Sequence, residues 1–86
     1  GSWRGKKPIQ RNAIIALAHF KEESAVPDII GVMKNDPRPV IRGTAAWALG
    51  KIGGSESKQA LVAISNSETD PEVLQEMQDA LARLSS

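Results

Sequence analysis

The residues best suited to chemistry in this chain are basic side chains gathered near its start. The first twenty residues contain no acidic residue and four basic ones: Arg4, Lys6, Lys7 and Arg11. Residues 1–43 hold eight Lys or Arg against four Asp or Glu, whereas residues 44–86 hold three against six. Such a composition is typical either of a surface that faces phosphate groups or of a solvated linker.

Catalytic and metal chemistry have little support in the sequence. The chain has no Cys, which excludes disulfides, thiolate nucleophiles, zinc ribbons and iron–sulfur ligands from it and fits a reducing cytoplasm. The single His, His19, is predicted to be a surface imidazole near a helix end rather than a base or a ligand. Ser65, Ser67 and Thr69 cluster without a base beside them. We therefore expect no catalysis, metal or cofactor within these residues.

The elements that must position the basic residues follow from an internal repeat, because the sequence matches itself at a shift of 32 residues. Along the middle copy the apolar residues fall at i, i+4, i+7, i+8 and i+11, the spacing of one helix face, and strands are not supported. Six apolar columns agree in three copies: Ile9/Ile41/Val73, Ala13/Ala45/Met77, Ala16/Ala48/Ala80, Leu17/Leu49/Leu81, Ala18/Gly50/Ala82 and Phe20/Ile52/Leu84.

The residues between the apolar blocks are typical of helix ends and predict the helix boundaries. Asp70-Pro71 predicts an N-cap followed by Pro in the first turn, and Gly53-Gly54 predicts a helix end. Ser24 and Ser55 are the expected caps of the two shorter helices. Five helices are predicted, at residues 8–20, 25–34, 39–52, 56–66 and 71–84.

Two antiparallel helices per 32 residues, with small residues at close approaches, predict an all-α fold, a short α-solenoid. Residues 8–20 form a half repeat, and 24–53 and 55–84 form whole repeats. Residues 1–7 are interpreted as a basic linker from a missing N-terminal domain, because the chain opens Gly1-Ser2 without Met. The first helix is apolar around much of its circumference, and we expect it to lean on that domain.

The repeat also predicts where the charges gather. The shift superposes Lys6 on Arg38 and Gln10 on Arg42, so equivalent helix ends would present a strip of donors to a phosphate backbone. Ordinary solvated charges, with Arg42 paired to Asp36 or a neighbouring acid, are an equally good interpretation. Trp47 is predicted to pack in the core rather than to stack on a base. Trp3 either stacks on a base or packs on the missing domain.

Two motifs resemble known families. The stretch from Asp36-Pro37-Arg38-Pro39 to Gly53 resembles the second helix of a HEAT-like repeat of the phycobilisome-lyase type. The third copy matches less well, since Leu74 stands where that family usually has Arg. The Gln10-Arg11-Asn12-Ala13 entry, followed by Arg42-Gly43-Thr44-Ala45-Ala46-Trp47-Ala48-Leu49-Gly50, resembles the C-terminal region of the bacterial epoxyqueuosine reductases over nearly the whole chain.

The second resemblance implies a cytoplasmic, monomeric parent enzyme that reduces epoxyqueuosine to queuosine in tRNA. Its cobalamin and two 4Fe-4S clusters would be held by upstream domains, and this chain contains none of their ligands. The tail would help to hold the tRNA anticodon stem-loop while the base is flipped out. The implied phosphate contacts, with Asn12 as a hydrogen-bonding partner, are Arg4, Lys6, Lys7, Arg11, Arg38 and Arg42. The alternative is a protein-interaction or scaffold solenoid, which the acidic final third favours. No membrane span is expected.

Overall fold

The computed structural model describes residues 9–85, which form five α-helices and no strand. The helices are α1 Arg11–His19, α2 Val26–Asn35, α3 Pro39–Ile52, α4 Ser55–Ser65 and α5 Pro71–Ser85, with a 3₁₀ turn at Glu23–Ala25 before α2. The all-α fold predicted from the repeat is therefore confirmed. The largest difference from the predicted boundaries is at α1, which begins at Arg11 rather than at residue 8.

The helices form two layers. α1, α3 and α5 lie side by side in one layer, α2 and α4 cover it, and α3 contacts each of the other four helices. The thinnest dimension of the molecule, 17 Å, is that of two stacked helices. The second helix of each repeat thus belongs to one layer, and the residue columns predicted from the 32-residue shift run across that layer.

The core lies between the layers and is centred on α3. Eight residues of α3 are buried, among them Ile41, Ala45, Ala48 and Leu49. α2 contributes Ile29 and Met33 and α4 contributes Leu61, all three without solvent exposure. Small side chains on α3 let its neighbours approach closely, and apolar burial of this kind is the main stabilising term for a small domain.

Two of the predicted helix ends are confirmed and two are wrong. Gly53 and Gly54 have φ of 81° and 97°, a backbone conformation that favours glycine, and α3 ends just before them. Asp70 caps α5, because its Oδ1 accepts hydrogen bonds from the amides of Glu72 at 2.9 Å and Val73 at 3.1 Å. Ser55, however, is the first residue of α4, since Gly54 occupies the N-cap position.

The predicted cap at Ser24 is also wrong, since a 3₁₀ turn at Glu23–Ala25 precedes α2 and Ala25 occupies its N-cap position. The Ser24 hydroxyl donates to the Glu22 carboxylate at 2.7 Å instead. The preceding turn closes α1 through hydrogen bonds from the amide of Glu22 to the carbonyl of Leu17 and from the amide of Lys21 to that of Ala18. Lys21, at φ 50°, occupies the left-handed position that this closure requires.

No helix formed by residues 9–85 is long and apolar enough to cross a lipid bilayer. The longest, α5, has 15 residues, whereas a span needs about 20 predominantly apolar ones.

Candidate nucleic-acid interface

The starts of α1, α3 and α5 lie along one edge of the molecule, as the 32-residue repeat requires. Arg38, which immediately precedes α3, donates from Nη2 to the carbonyl of Ile9 before α1 at 3.3 Å. Arg42, in the first turn of α3, reaches the loop before α5 and pairs with Glu68. The predicted juxtaposition of equivalent helix ends is therefore present for the part of the strip that lies within residues 9–85.

Arg38 is held in a two-pronged pair with Asp36. Its Nε donates to Oδ1 at 3.0 Å and its Nη2 to Oδ2 at 2.9 Å, while its backbone amide donates to Oδ1 at 2.9 Å. These hydrogen bonds from Arg38 lower the pKa of the Asp36 carboxyl, with a further contribution from the charge of Arg42. The Arg38 side chain keeps 41% of its surface exposed, so solvent and ligands reach the guanidinium.

Arg42 makes a more buried pair with Glu68. Its Nε and Nη2 donate to the two Glu68 carboxylate oxygens at 3.0 and 3.2 Å, and its Nη1 donates to the Asp36 carbonyl at 2.9 Å. The side chains are 16% and 5% exposed. The hydrogen bond from Arg42 lowers the pKa of Glu68, and the backbone amides of Thr69 and Asp70 lower it further.

These contacts join into one continuous set, which we call the edge network. It consists of the Ile9 carbonyl, Arg38, Asp36, Arg42, Glu68 and Asp70. Glu68 accepts the amide of Asp70 at 2.9 Å, and the Asp70 side chain in turn caps α5. The starts of all three helices in one layer are therefore fixed to one another by charge-assisted hydrogen bonds.

The edge network identifies the internal partners of Arg42. The partner of its guanidinium is Glu68, a neighbouring acid, whereas Asp36 offers its backbone carbonyl. Arg42 is thus engaged within the protein, as the interpretation based on ordinary charges expected. A direct contact from Arg42 to a phosphate would have to compete with this internal pair, whereas Arg38 is exposed enough for a shared contact.

Arg11 and Asn12 are placed differently. Both lie exposed in the first turn of α1, and Arg11 forms no ion pair with any other residue in the described range 9–85. The N-cap of α1, Gln10, provides no side-chain hydrogen bond, and the first turn contains no acid. The amides at this helix start therefore add a positive field to the Arg11 charge.

The three helix starts differ in the charge that they present. α3 resembles α1, since its N-cap provides no side-chain hydrogen bond and its first turn has no acid. At α5 the amides are occupied by Asp70, and Glu72 follows in the first turn. An anion is thus favoured at the α1 start, whereas Asp36 already supplies a carboxylate at the α3 start and Asp70 supplies one at the α5 start.

A groove runs from the α1 start across α3 to α5. It comprises two adjoining cavities of about 360 and 390 Å³, which share Arg11, Thr44 and Glu76. Trp47 lines the second cavity and packs against the core while remaining partly exposed. The groove is mixed in charge, because Arg11 borders it on the α1 side and Glu72 and Glu76 on the α5 side.

Some predicted residues lie outside the described range, and some contacts were missed. Trp3, Arg4, Lys6 and Lys7 fall within residues 1–8, which the structure does not describe. Glu68 was not singled out from the sequence, although the 32-residue shift superposes it on Asp36 and so indicates an acid at the same place in two loops.

Within residues 9–85 no three potential ligands among His, Cys, Asp and Glu are grouped as a metal site. His19 ends α1, exposed, with its ring edge-to-face against Phe20 at 5.1 Å.

Comparisons with known proteins agree on one group of relatives. The family model for HEAT repeats matches residues 5–82. The epoxyqueuosine reductase of Bacillus cereus is 68% identical over 84 residues, covering 98% of this chain, and that of Listeria monocytogenes is 62% identical over 77 residues, covering 90%. The chain spans only 22% and 20% of the length of these two relatives.

Two solved structures have the same fold as this chain. One is an epoxyqueuosine reductase crystallised with an epoxyqueuosine-modified tRNA-Tyr stem loop, with a TM-score of 0.85 and 55% identity. The match covers 100% of this chain and 23% of that one. The other is the epoxyqueuosine reductase from Bacillus subtilis, with a TM-score of 0.83 at 56% identity, covering 98% of this chain and 23% of that one.

Proposed function

We propose that this chain, which belongs to the HEAT-repeat family, is the RNA-positioning part of an epoxyqueuosine reductase and holds the anticodon stem-loop of the tRNA substrate. The main support is the likeness, over the whole chain, to the reductase solved with a tRNA stem loop. The arrangement of charge at the helix starts supports the same function. This part contributes no catalytic group, and it acts by fixing the RNA relative to the domains that perform the reaction.

The proposed contacts are centred on the starts of α1 and α3. Arg11 is exposed and without an internal ion pair in the described range, and the uncapped amides of α1 strengthen its field. Arg38 lies beside the α1 start through its hydrogen bond to the Ile9 carbonyl, with its guanidinium partly exposed. Asn12 supplies a side-chain amide within the same turn as Arg11. Phosphate groups of an RNA backbone suit such donors without requiring a base sequence.

The remaining basic residues have two different roles in this proposal. Arg4, Lys6 and Lys7 lie a few residues before α1 in the sequence, and in this proposal they make further phosphate contacts. Arg42 acts as a positioning residue, because its hydrogen bond to the Asp36 carbonyl fixes the loop that bears Arg38. The RNA footprint stops before α5, since Asp70 and Glu72 would repel phosphate there.

The parent protein in this proposal reduces epoxyqueuosine to queuosine in tRNA. Its cobalamin and two four-iron, four-sulfur clusters are bound by other domains of the same polypeptide. The enzyme is a monomer and works in the cytoplasm, where its tRNA substrate is found. Positioning by this part presents the modified wobble base, flipped out of its stack, to those domains.

The test is a titration of labelled tRNA-Tyr anticodon stem-loop into this chain at about 50 mM salt, where phosphate contacts are strongest. The informative variant is Arg11→Glu. The matched control is Lys58→Glu, which makes the same charge change on α4 in the other layer. Circular dichroism of both variants establishes that the helices are intact.

We expect the stem-loop to bind the unchanged chain and the Lys58→Glu variant equally, and the Arg11→Glu variant at least about tenfold more weakly, since one favourable phosphate contact becomes repulsive. Equal weakening in both variants would show that net charge alone matters. Binding that is unaffected by Arg11→Glu would contradict the proposed interface.

A protein-binding role is the second candidate, and the acidic side of the groove is the observation that favours it. Glu72 and Glu76 border the cavity opposite Arg11, in a mixed setting that suits a polypeptide carrying both charges. In that case Glu72→Lys and Glu76→Lys would weaken binding to the partner while leaving the stem-loop titration at least as strong as before.

A further inference from the structure

One helix face that is buried in two repeats is open in the first. The columns Ile9/Ile41/Val73, Ala13/Ala45/Met77 and Ala16/Ala48/Ala80 are buried throughout α3 and α5. In the first copy, Ala13 is only partly buried and Ala16 is exposed, whereas Ile9, just before α1, packs against the core. At the end of the same face Ile52 is 9% exposed, whereas its equivalent Phe20 is 76% exposed.

The open face is centred on Ala13, Ala16 and Phe20, which follow one another at the spacing of a single helix face. The exposed polar residues Asn12 and His19 border it. Contiguous apolar residues on a surface mark interaction sites, and Ala13, Ala16 and Phe20 are neighbours on one face. We call this patch the α1 outer face.

The repeat identifies what kind of element covers such a face. In α5, the column residue Ala80 is covered by α3, where the approach is so close that a Cβ on Gly50 would lie 2.7 Å from the Ala80 Cβ and 2.9 Å from its Cα. α4 also packs on α5, as α2 packs on α3. The element that covers this column in α5 is therefore a helix with a small residue, Gly50, at the crossing.

We propose that the α1 outer face is the docking surface for a further helix of the parent polypeptide, which has Gly or Ala where it crosses Ala16. The stack thus continues past α1 with the same spacing that joins α1, α3 and α5. This inference rests on the proposed function in one respect, namely that the chain is part of a longer protein. It names an intramolecular surface whose centre, Ala16 and Phe20, lies toward the end of α1, whereas the edge network and Arg11 lie at the start of α1.

Continuity of the packing favours a helix over other occupants. The three helices of the layer, α1, α3 and α5, have equivalent residues at the same positions of the 32-residue repeat. A helix placed beside α1 would therefore meet residues equivalent to those that α3 and α5 bury. An apolar helix buries Phe20 and Ala16 together, whereas a loop would leave backbone polar groups against an apolar face. The small crossing residue follows from the Gly50 and Ala80 contact.

The test places a photo-crosslinking side chain on the α1 outer face of the full-length protein. Phe20 is replaced by p-benzoylphenylalanine, which inserts into nearby C–H bonds on illumination. Val62, exposed on α4, receives the same replacement as the matched control. Digestion and mass spectrometry locate the crosslinked peptide, and no RNA is present, so the readout does not depend on the proposed RNA contact.

We expect the probe at position 20 to form a crosslink within one polypeptide, to a helical peptide outside residues 1–86, and the probe at position 62 to form none to that peptide. A crosslink between two polypeptides would mean that a second copy covers the face. A crosslink to residues 1–8 would mean that the chain's own start covers it. Either result, or the absence of any crosslink, would overturn the proposal.

A second variant tests the surface without a probe. Ala16→Lys introduces a charge where the helix docks, and Ala63→Lys makes the same change on the exposed side of α4. In the full-length protein we expect the unfolding midpoint of this part to fall by more than about 4 °C for the first variant and by less than about 1 °C for the second. Equal midpoints would overturn the proposal.

Discussion

Gly50 of α3 lies directly against Ala80 of α5, with no room for a side chain between the two helices. A Cβ built on Gly50 would be 2.7 Å from the Ala80 Cβ and 2.9 Å from its Cα. The second of these atoms belongs to the backbone, which does not rotate away as a long side chain does. The spacing of the two repeats therefore depends on this one residue.

Gly50→Ala is expected to destabilise the protein by about 1–3 kcal/mol, because the overpacked helices must separate. Gly31→Ala is the matched control, since a Cβ at Gly31 meets nothing within 4 Å. There the better helix propensity of Ala should stabilise by about 0.5–1 kcal/mol. Urea unfolding of both variants measures the difference, and a stabilising Gly50→Ala would refute the close approach.

Arg42→Ala is expected to cost about 3 kcal/mol, because it leaves the Glu68 carboxylate, 5% exposed, without its cation. Arg38→Ala should cost less, since that pair is open to solvent on the arginine side. Urea midpoints compare the two variants. Equal losses of stability would show that the Arg42–Glu68 pair does not stabilise the fold more than the Arg38–Asp36 pair does.

The edge network also predicts how stability depends on pH. The pKa values of Glu68 and Asp36 are lowered from their ordinary values of 4.5 and 3.8, chiefly by hydrogen bonds from Arg42 and Arg38. Since the folded pKa values lie below the unfolded ones, their stabilisation is complete above about pH 5 and is lost as the pH falls through the folded values.

Urea unfolding at pH 7, 5, 4 and 3 measures this loss. Glu68→Gln cannot titrate and should show a shallower decline between pH 5 and 3 than the unchanged chain. Glu56→Gln, on the exposed first turn of α4, removes a carboxylate outside the network and serves as the control. Identical pH profiles for the unchanged chain and Glu68→Gln would contradict the prediction.

Asp70→Ala should destabilise by about 1 kcal/mol, because the amides of Glu72 and Val73 lose their acceptor. Asp70→Asn keeps an acceptor oxygen and should recover most of the loss. Thermal unfolding followed by circular dichroism distinguishes the two. An Asp70→Asn variant as unstable as Asp70→Ala would show that the charge, and not the cap, is what matters.

The helices were predictable because local signals and the repeat agree. Pro39 and Gly53 bracket α3, and the shift that superposes Leu49 on Leu81 sets the period of the layer. The predictions that Ser24 and Ser55 cap their helices were wrong, because the local turns place a different residue at each N-cap position. Gly54 took the N-cap position before α4, and a 3₁₀ turn came before α2.

The candidate interface was predictable in location but not in detail. The repeat brought Arg38 and Arg42 to one edge with the start of α1, as expected. Which of them would be exposed depends on the reach of Arg42 to Glu68, a contact between residues 26 apart. Helix periodicity does not encode such a pairing, although the alignment of Asp36 with Glu68 indicates it once the fold is known.

The most direct test of the account is the salt dependence of stem-loop binding. The logarithm of the association constant is measured against the logarithm of salt concentration for the unchanged chain, Arg11→Gln and Lys58→Gln. If Arg11 contacts a phosphate, its neutralisation lowers the magnitude of the slope by about one, whereas Lys58→Gln leaves the slope unchanged. The same slope for the unchanged chain and Arg11→Gln would contradict the account, because it would place the RNA away from the α1 start.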